Sequence, residues 1–170
     1  MSQTVLITGA SNGIGKACAR VFARKGYDLV LVARHREKLE AVKAELSEYD
    51  VQIKVIAMDL TGEDAAVDLY NNLVLDDISI DILVNNAGFG DHGAFHDSSW
   101  EKQKKMVLLN IVALMQMTYV FGQSMKRRKK GRILNVASIA GLCAGPYMST
   151  YYATKAFVLS FSCLLYTSDA

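Results

Sequence analysis

What most constrains this chain is a repeated exchange between two hydrophobic periods. Thr4–Thr8 (Thr-Val-Leu-Ile-Thr) is a short β-rich run, and Ile14–Lys25 then carries apolar residues at helical spacing before Gly26. The pair recurs: Asp28–Ala33 reads as strand, Arg36–Glu48 as helix, Val51–Ala57 as strand and Glu63–Leu75 as helix. Ile80–Asn85 is a fourth strand, Ser99–Met125 a long helix, Arg132–Ala137 a fifth strand, and Thr150 onward a last helix. Alternation of this kind implies right-handed βαβ crossovers and a parallel sheet covered on both faces. Near-continuous apolar runs such as Val5-Leu6-Ile7 and Leu29-Val30-Leu31-Val32 suit central strands. The expected class is α/β, a doubly wound parallel sheet with strand order 3-2-1-4-5.

Composition narrows the partners. With 170 residues, 51% of them hydrophobic, the chain can bury one core but hardly two. The net charge is only +2 and both signs are spread along the sequence, so no nucleic acid or membrane surface is expected as a partner. The one basic run, Lys126–Lys130, suits the C-terminal dipole of the long helix before Gly131. Cys18, Cys143 and Cys163 are odd in number and far apart, which fits neither a disulfide framework nor a metal site and points to a reducing, cytoplasmic setting. The apolar stretch 107–121 is interrupted by Asn110 and Gln116 and falls short of the roughly 20 residues a bilayer crossing needs. No secretory signal is expected before the first strand, and the chain reads as soluble.

The turn after the first strand carries the first chemistry. Gly9, Ser11, Asn12, Gly13, Ile14 and Gly15 lie between strand and helix, where backbone N–H groups and the helix dipole can hold a pyrophosphate. The second strand ends at Ala33, and Arg34 stands where an acidic residue would bind a ribose 2′-hydroxyl. A guanidinium there can pair with a 2′-phosphate instead, which favours NADP(H) over NAD; the plainer alternative is that Arg34, His35 and Arg36 are a solvated helix entry.

Thr8-Gly9-x-x-x-Gly13-Ile14-Gly15 resembles the cofactor turn of the classical short-chain dehydrogenases/reductases, a Rossmann-like family. Asp59-Leu60 after the third strand is similar to that family's adenine-contacting pair, and Asn85-Asn86-Ala87-Gly88 to its Asn-Asn-Ala-Gly motif. The resemblance implies that Asn86, Ala87 and Gly88 line the cofactor ribose while Asn85 ties strands together. Taken alone, Asp59 is equally a turn or capping residue.

Tyr151 and Lys155 stand four apart in Tyr-Tyr-Ala-Thr-Lys, so a helix from Thr150 puts them on one face. A cation beside a phenol favours its ionised form, as proton transfer near neutrality requires. Tyr147 and Tyr152 have no such spacing to Lys155. By resemblance Ser138, at the end of the fifth strand, polarises a substrate carbonyl, and Lys155 also binds the nicotinamide ribose. Asn110, inside the long helix, is the fourth member and holds a water linking Lys155 to solvent. Singly, Tyr151 could be a core-edge residue, Lys155 a solvated helix face, Ser138 a helix cap and Asn110 a satisfied core amide. Jointly they imply an oxidoreductase that moves a hydride between NADP(H) and a small-molecule carbonyl or alcohol. The alternative is a catalytically silent cofactor-binding or regulatory module on the same fold. His92 and His96 fall in a loop that in relatives lies beside the substrate, and no cluster near them suits a metal.

The resemblance runs from Thr4 to about Ser162. Residues 1–162 are expected to form an incomplete NADP-binding domain, and 163–170, which resembles translated adaptor sequence, is set aside as a non-native tail. The family would add two further strands, and its members are usually homo-oligomers. On that reading the fifth strand is an exposed apolar edge and the chain aggregates or turns over poorly.

Overall fold

The structure is a computed structural model that describes residues 2–168. In chain order it contains β1 (Thr4–Thr8), α1 (Gly13–Arg24), β2 (Asp28–Ala33), α2 (Arg36–Glu45), β3 (Ile53–Ala57), α3 (Ala65–Leu75), β4 (Ile82–Asn85), α4 (Trp100–Val107), α5 (Leu114–Arg128), β5 (Arg132–Asn135) and α6 (Ser149–Ser168). A π-helical segment, Leu108–Ala113, joins α4 to α5. The five strands are parallel in the order β3-β2-β1-β4-β5, as the βα alternation requires.

Strand side chains alternate between faces, so β1 feeds two cores. Leu6, with Val30 and Leu83 beside it in register, packs under Leu69 and Leu73 of α3 and Met117 and Phe121 of α5. Val5 and Ile7, with Leu29, Leu31 and Val84, pack under Ala19 and Ala23 of α1 and Leu39 and Val42 of α2. Burying each large aliphatic side chain contributes about 1.5–3 kcal/mol. The small residues of α1 let that helix lie close to the sheet.

Several boundaries differ from expectation for local reasons. Helix α2 stops at Glu45 because the Ser47 hydroxyl takes the Ala44 carbonyl and the chain turns. The long helix runs on to Arg128, ended by Lys129 in the left-handed region at φ 53°. Its basic run is spent locally: Arg127 reaches the Tyr70 hydroxyl, and Arg128 and Lys130 close on Asp81.

One expectation needs correction. Trp100–Arg128 forms a continuous rod of 29 residues whose most apolar stretch has mean hydropathy 1.4, so by length and composition it is able to cross a bilayer. The π turn carries the expected long helix through Asn110 without a break, so the apolar stretch is longer than 107–121. In this fold one face of the rod, with Met106, Ala113, Met117, Phe121 and Met125, is buried.

Strand β5 is an exposed edge, with Ile133 and Leu134 37% and 48% accessible, as the sequence led us to expect. Helix α6 continues past Ser162 to Ser168.

Candidate active site and nucleotide turn

The C-terminal ends of β1, β4 and β5 gather the candidate residues along one rim. At β1 the chain turns through Gly9, at φ +65°, into Asn12 and Gly13. A Cβ on Gly9 would stand 2.9 Å from the Ala87 Cα, and one on Gly15 would press on the Gly9 carbonyl and the Asn86 amide. Gly13, at φ +51°, faces open space instead. The turn is therefore closed on its sheet side and open outward. Asn12 caps α1 without a side-chain hydrogen bond, so the first helical N–H groups remain available to a ligand. Ser11 is half-buried, while Ile14 is 61% exposed on the same turn.

Asn86 already has partners within the protein. Its Nδ2 donates to the carbonyls of Thr8 (3.0 Å) and Gly9 (3.2 Å), so the side chain braces the turn. Buried Thr8 completes the brace: its Oγ1 accepts from the N–H groups of Asn86 and Ala87, both at 3.0 Å. Asn85 ties strands as expected, donating to Asn135 on β5 (2.9 Å) and to Thr118 on α5 (3.1 Å). Arg34 is exposed at the end of β2, and Leu60 is buried. Asp59 forms a turn, its Oδ1 accepting from the Thr61 N–H and hydroxyl. The Thr61 amide chiefly holds that carboxyl below the usual range; partial burial opposes this, while the Thr61 hydroxyl, Arg34 and Lys105 assist.

The second half of the site hangs on α6. Lys155 is buried and its Nζ donates to the Val136 carbonyl at 2.8 Å, just beyond β5. Burial pushes its pKa down. Tyr151 lies one turn earlier, half-buried, its ring against Gly90, where a Cβ would stand 3.1 Å away. Ser138 caps a single 3₁₀ turn, Ile139–Gly141, by accepting the Ala140 N–H at 3.1 Å. The capping role therefore holds, yet it occupies only a lone pair and leaves the hydroxyl proton to donate.

Asn110 sits mid-way along the π segment, buried. Its Oδ1 accepts from the Phe89 N–H (3.1 Å), and its Nδ2 donates to the Phe89 carbonyl (2.9 Å) and to Thr154 Oγ1 (3.0 Å). It is a satisfied core amide and also the bracket that fixes the strand-four loop against α6. A Cβ on Gly88 would lie 2.9 Å from Asn110 Oδ1 and 3.8 Å from Lys155 Nζ, so glycine there lets the three converge. Thr154, which sequence reasoning missed, donates to the Tyr151 carbonyl at 2.8 Å. Its signal was a threonine three residues after Tyr151, where a helical hydroxyl can reach back to the i−3 carbonyl. Among the described residues no group of three or more His, Cys, Asp or Glu could hold a metal.

A parallel sheet with a glycine turn at the start of α1 and a polar cluster at its carboxyl rim defines a dinucleotide-fold protein. The sequence profile described as short chain dehydrogenase matches residues 3–167, and this chain belongs to that family. It is 34% identical over 169 residues to the very-long-chain 3-oxoacyl-CoA reductase of Bos taurus, covering 95% of this chain and 53% of that one. It is 38% identical over 170 residues to 17-beta-hydroxysteroid dehydrogenase type 3 of Mus musculus, covering 95% and 53%. The bulky-bulky ketone specific alcohol dehydrogenase of Comamonas testosteroni superposes with a TM-score of 0.89 at 39% identity, covering 96% and 66%. A short-chain dehydrogenase from Sphingobium yanoikuyae, solved in complex with NADPH, gives 0.89 at 40%, covering 96% and 64%. The chain spans about half the length of these curated relatives.

Proposed function

We propose that this chain carries the cofactor site and acid–base residues of an NADP(H)-dependent oxidoreductase acting on a carbonyl or alcohol. The carrying observation is the convergence of Lys155 and Asn110 on Gly88, with Tyr151 one turn earlier on the helix that carries Lys155 and an open glycine turn on the same rim. Gly9, Ser11, Asn12, Gly13, Ile14 and Gly15 would hold the pyrophosphate, Arg34 a 2′-phosphate, Asp59 and Leu60 the adenine, and Asn86, Ala87 and Gly88 the ribose. A nicotinamide dinucleotide supplies or accepts the hydride. Tyr151 gives a proton to the substrate oxygen in reduction and takes it back in oxidation. Ser138 donates its free hydroxyl proton to that same oxygen as negative charge grows there. Lys155, held by the Val136 carbonyl and one turn along α6 from Tyr151, would bind the nicotinamide ribose.

The substrate we favour has a large apolar body. Phe95, Ile139, Leu142 and Tyr147 are 49%, 84%, 74% and 60% exposed and come from the two loops that carry Gly90 and Ser138. Similarity to a bulky-bulky ketone dehydrogenase and to very-long-chain 3-oxoacyl reductases supports the same class. We place the protein in the cytoplasm; the apolar rod 100–128 makes a membrane-associated setting the alternative to test.

Tyr151→Phe tests the assignment. Turnover of NADPH with a bulky ketone is expected to fall at least about 100-fold, with NADPH affinity unchanged. Arg34→Ala should weaken NADPH binding and leave NADH binding alone. NADPH binding without turnover in the unaltered chain would favour the silent cofactor-binding module.

A further inference from the structure

Tyr147 is an exposed, bulky residue in the left-handed region, at φ +62°. That conformation costs about 1–3 kcal/mol for a non-glycine residue, so neighbouring contacts must hold it. Two do. The Tyr147 carbonyl accepts the Gly93 N–H at 2.8 Å, and its ring stands 5.6 Å from that of His92, tilted by 38°. The loop that carries His92 and Gly93 is tied on its other side, where Asp91 pairs with Lys102 and Gln103 of α4. Three residues before Gly93, Gly90 lies against the Tyr151 ring and the Met148 methyl, with Cβ distances of 3.1 and 3.2 Å. The opposing loop lies flat on α6 because Gly141 meets the Lys155 carbonyl, at a Cβ distance of 2.6 Å, and Gly145 meets the Tyr152 ring. The loop after β4 therefore meets the start of α6 at Gly90–Tyr151 and the opposing loop at Gly93–Tyr147, beside the proposed proton donor.

We propose that Tyr147 and His92 form an aromatic clasp that closes these loops beside Tyr151, and that Tyr147 is a specificity-determining residue receiving the apolar part of the substrate. An aromatic pair of this kind adds modest stability, enough to hold a loop and still allow it to open. The specificity half rests on the hydride-transfer reading above; the clasp does not.

Amide exchange at Gly93, followed by NMR on this chain, tests the clasp. His92→Ala and Tyr147→Gly should each speed exchange about three- to tenfold, the double variant should be no faster than the faster single one, and Tyr147→Phe should match the unaltered chain. Glycine adopts φ +62° without strain, so Tyr147→Gly removes the ring without forcing the backbone. Unchanged exchange in both His92→Ala and Tyr147→Gly would overturn the clasp. For specificity, Tyr147→Gly should raise KM for a bulky aryl ketone about tenfold while leaving kcat and the KM for a small dialkyl ketone within about twofold. Equal KM changes for both ketones would remove the specificity role. If the unaltered chain oxidises no NADPH with either ketone, the hydride-transfer reading and the specificity role fall together, and Gly93 exchange still decides the clasp.

Discussion

The two ends of the sheet are built from different materials. Where the strands begin, charge does the joining: Asp81 accepts the Thr4 N–H at 3.1 Å and pairs with Lys130 at 2.9 Å and Arg128 at 3.7 Å. Arg128 also donates to the Ile80 carbonyl at 2.6 Å, and Asp28 takes the Gln52 N–H at 2.8 Å and the Ser2 hydroxyl. Where the strands end, neutral groups do most of it: Thr8, Asn85, Asn86, Asn110 and Thr154 hold turns and loops through amides and hydroxyls, and the Lys155–Val136 bond is a charged exception. Asp59, the carboxylate near the turn, has one oxygen committed to Thr61. An anionic ligand approaching α1 thus meets backbone donors with little opposing charge. A half-open cleft of about 170 Å³ lies at the charged end, among Tyr70, Ile78, Phe121 and Arg128.

The largest effect should come from breaking the neutral end. Gly15→Ala places a methyl against the Gly9 carbonyl and 2.5 Å from Asn86 Nδ2, and neither neighbour is free to move, since Asn86 is hydrogen-bonded to that turn. Overpacking of this sort costs about 1–3 kcal/mol, and it displaces the pyrophosphate turn itself. Calorimetric titration should show NADPH affinity reduced more than about tenfold, with the chain still folded by circular dichroism.

Asp81→Asn breaks the charged end and should spare the other. Burial raises the Asp81 pKa, but the Lys130 hydrogen bond, the Thr4 amide and Arg128 outweigh it, so the carboxyl sits below its ordinary range. Its stabilisation is therefore complete above the unfolded value of about 3.9 and is lost as pH falls through the lower folded value. Urea unfolding at pH 7 should show a loss of about 2 kcal/mol, shrinking as pH drops below about 4, with NADPH affinity unchanged. A drop in affinity as large as that from Gly15→Ala would show that the two ends are not independent.

The sequence made one of these ends far more legible than the other. Strand and helix periods fixed the parallel order, and glycine spacing with Tyr151 and Lys155 located the rim, because those features are local. Asp81 gave no sign, since its partners lie in the distant basic run, and that run read only as a helix terminus. The π turn at Leu108–Ala113 was equally hidden: a run of Leu, Asn, Ile, Val and Ala fits an ordinary helix, and the bulge is set by how Asn110 meets Phe89 and Thr154. The bonds of Asn86 to Thr8 and Gly9 were hidden as well, because a motif names a residue without saying which way its amide is used.

Thr8→Val sharpens that last point. It removes the acceptor of the Asn86 and Ala87 N–H groups while keeping the side-chain volume close. Both donors are only half-buried, so water can reach them, and the expected cost is near the low end for unsatisfied groups, about 1–2 kcal/mol. Faster amide exchange confined to residues 86–88 would show that the brace acts locally.

The smallest effect belongs to an exposed pair at the margin of the charged end. Lys54 on edge strand β3 meets Asp76, just past α3, at 2.8 Å, with side chains 37% and 45% exposed. In water that pair is screened and must immobilise a long side chain, so Lys54→Met should cost only about 0.2–1 kcal/mol, vanishing in 1 M salt. The Asp81 contribution, sheltered at 11% side-chain exposure, should survive the same salt. If both effects vanished together, the charged end would be ordinary surface electrostatics, and the contrast between the two ends would reduce to the glycine turn alone.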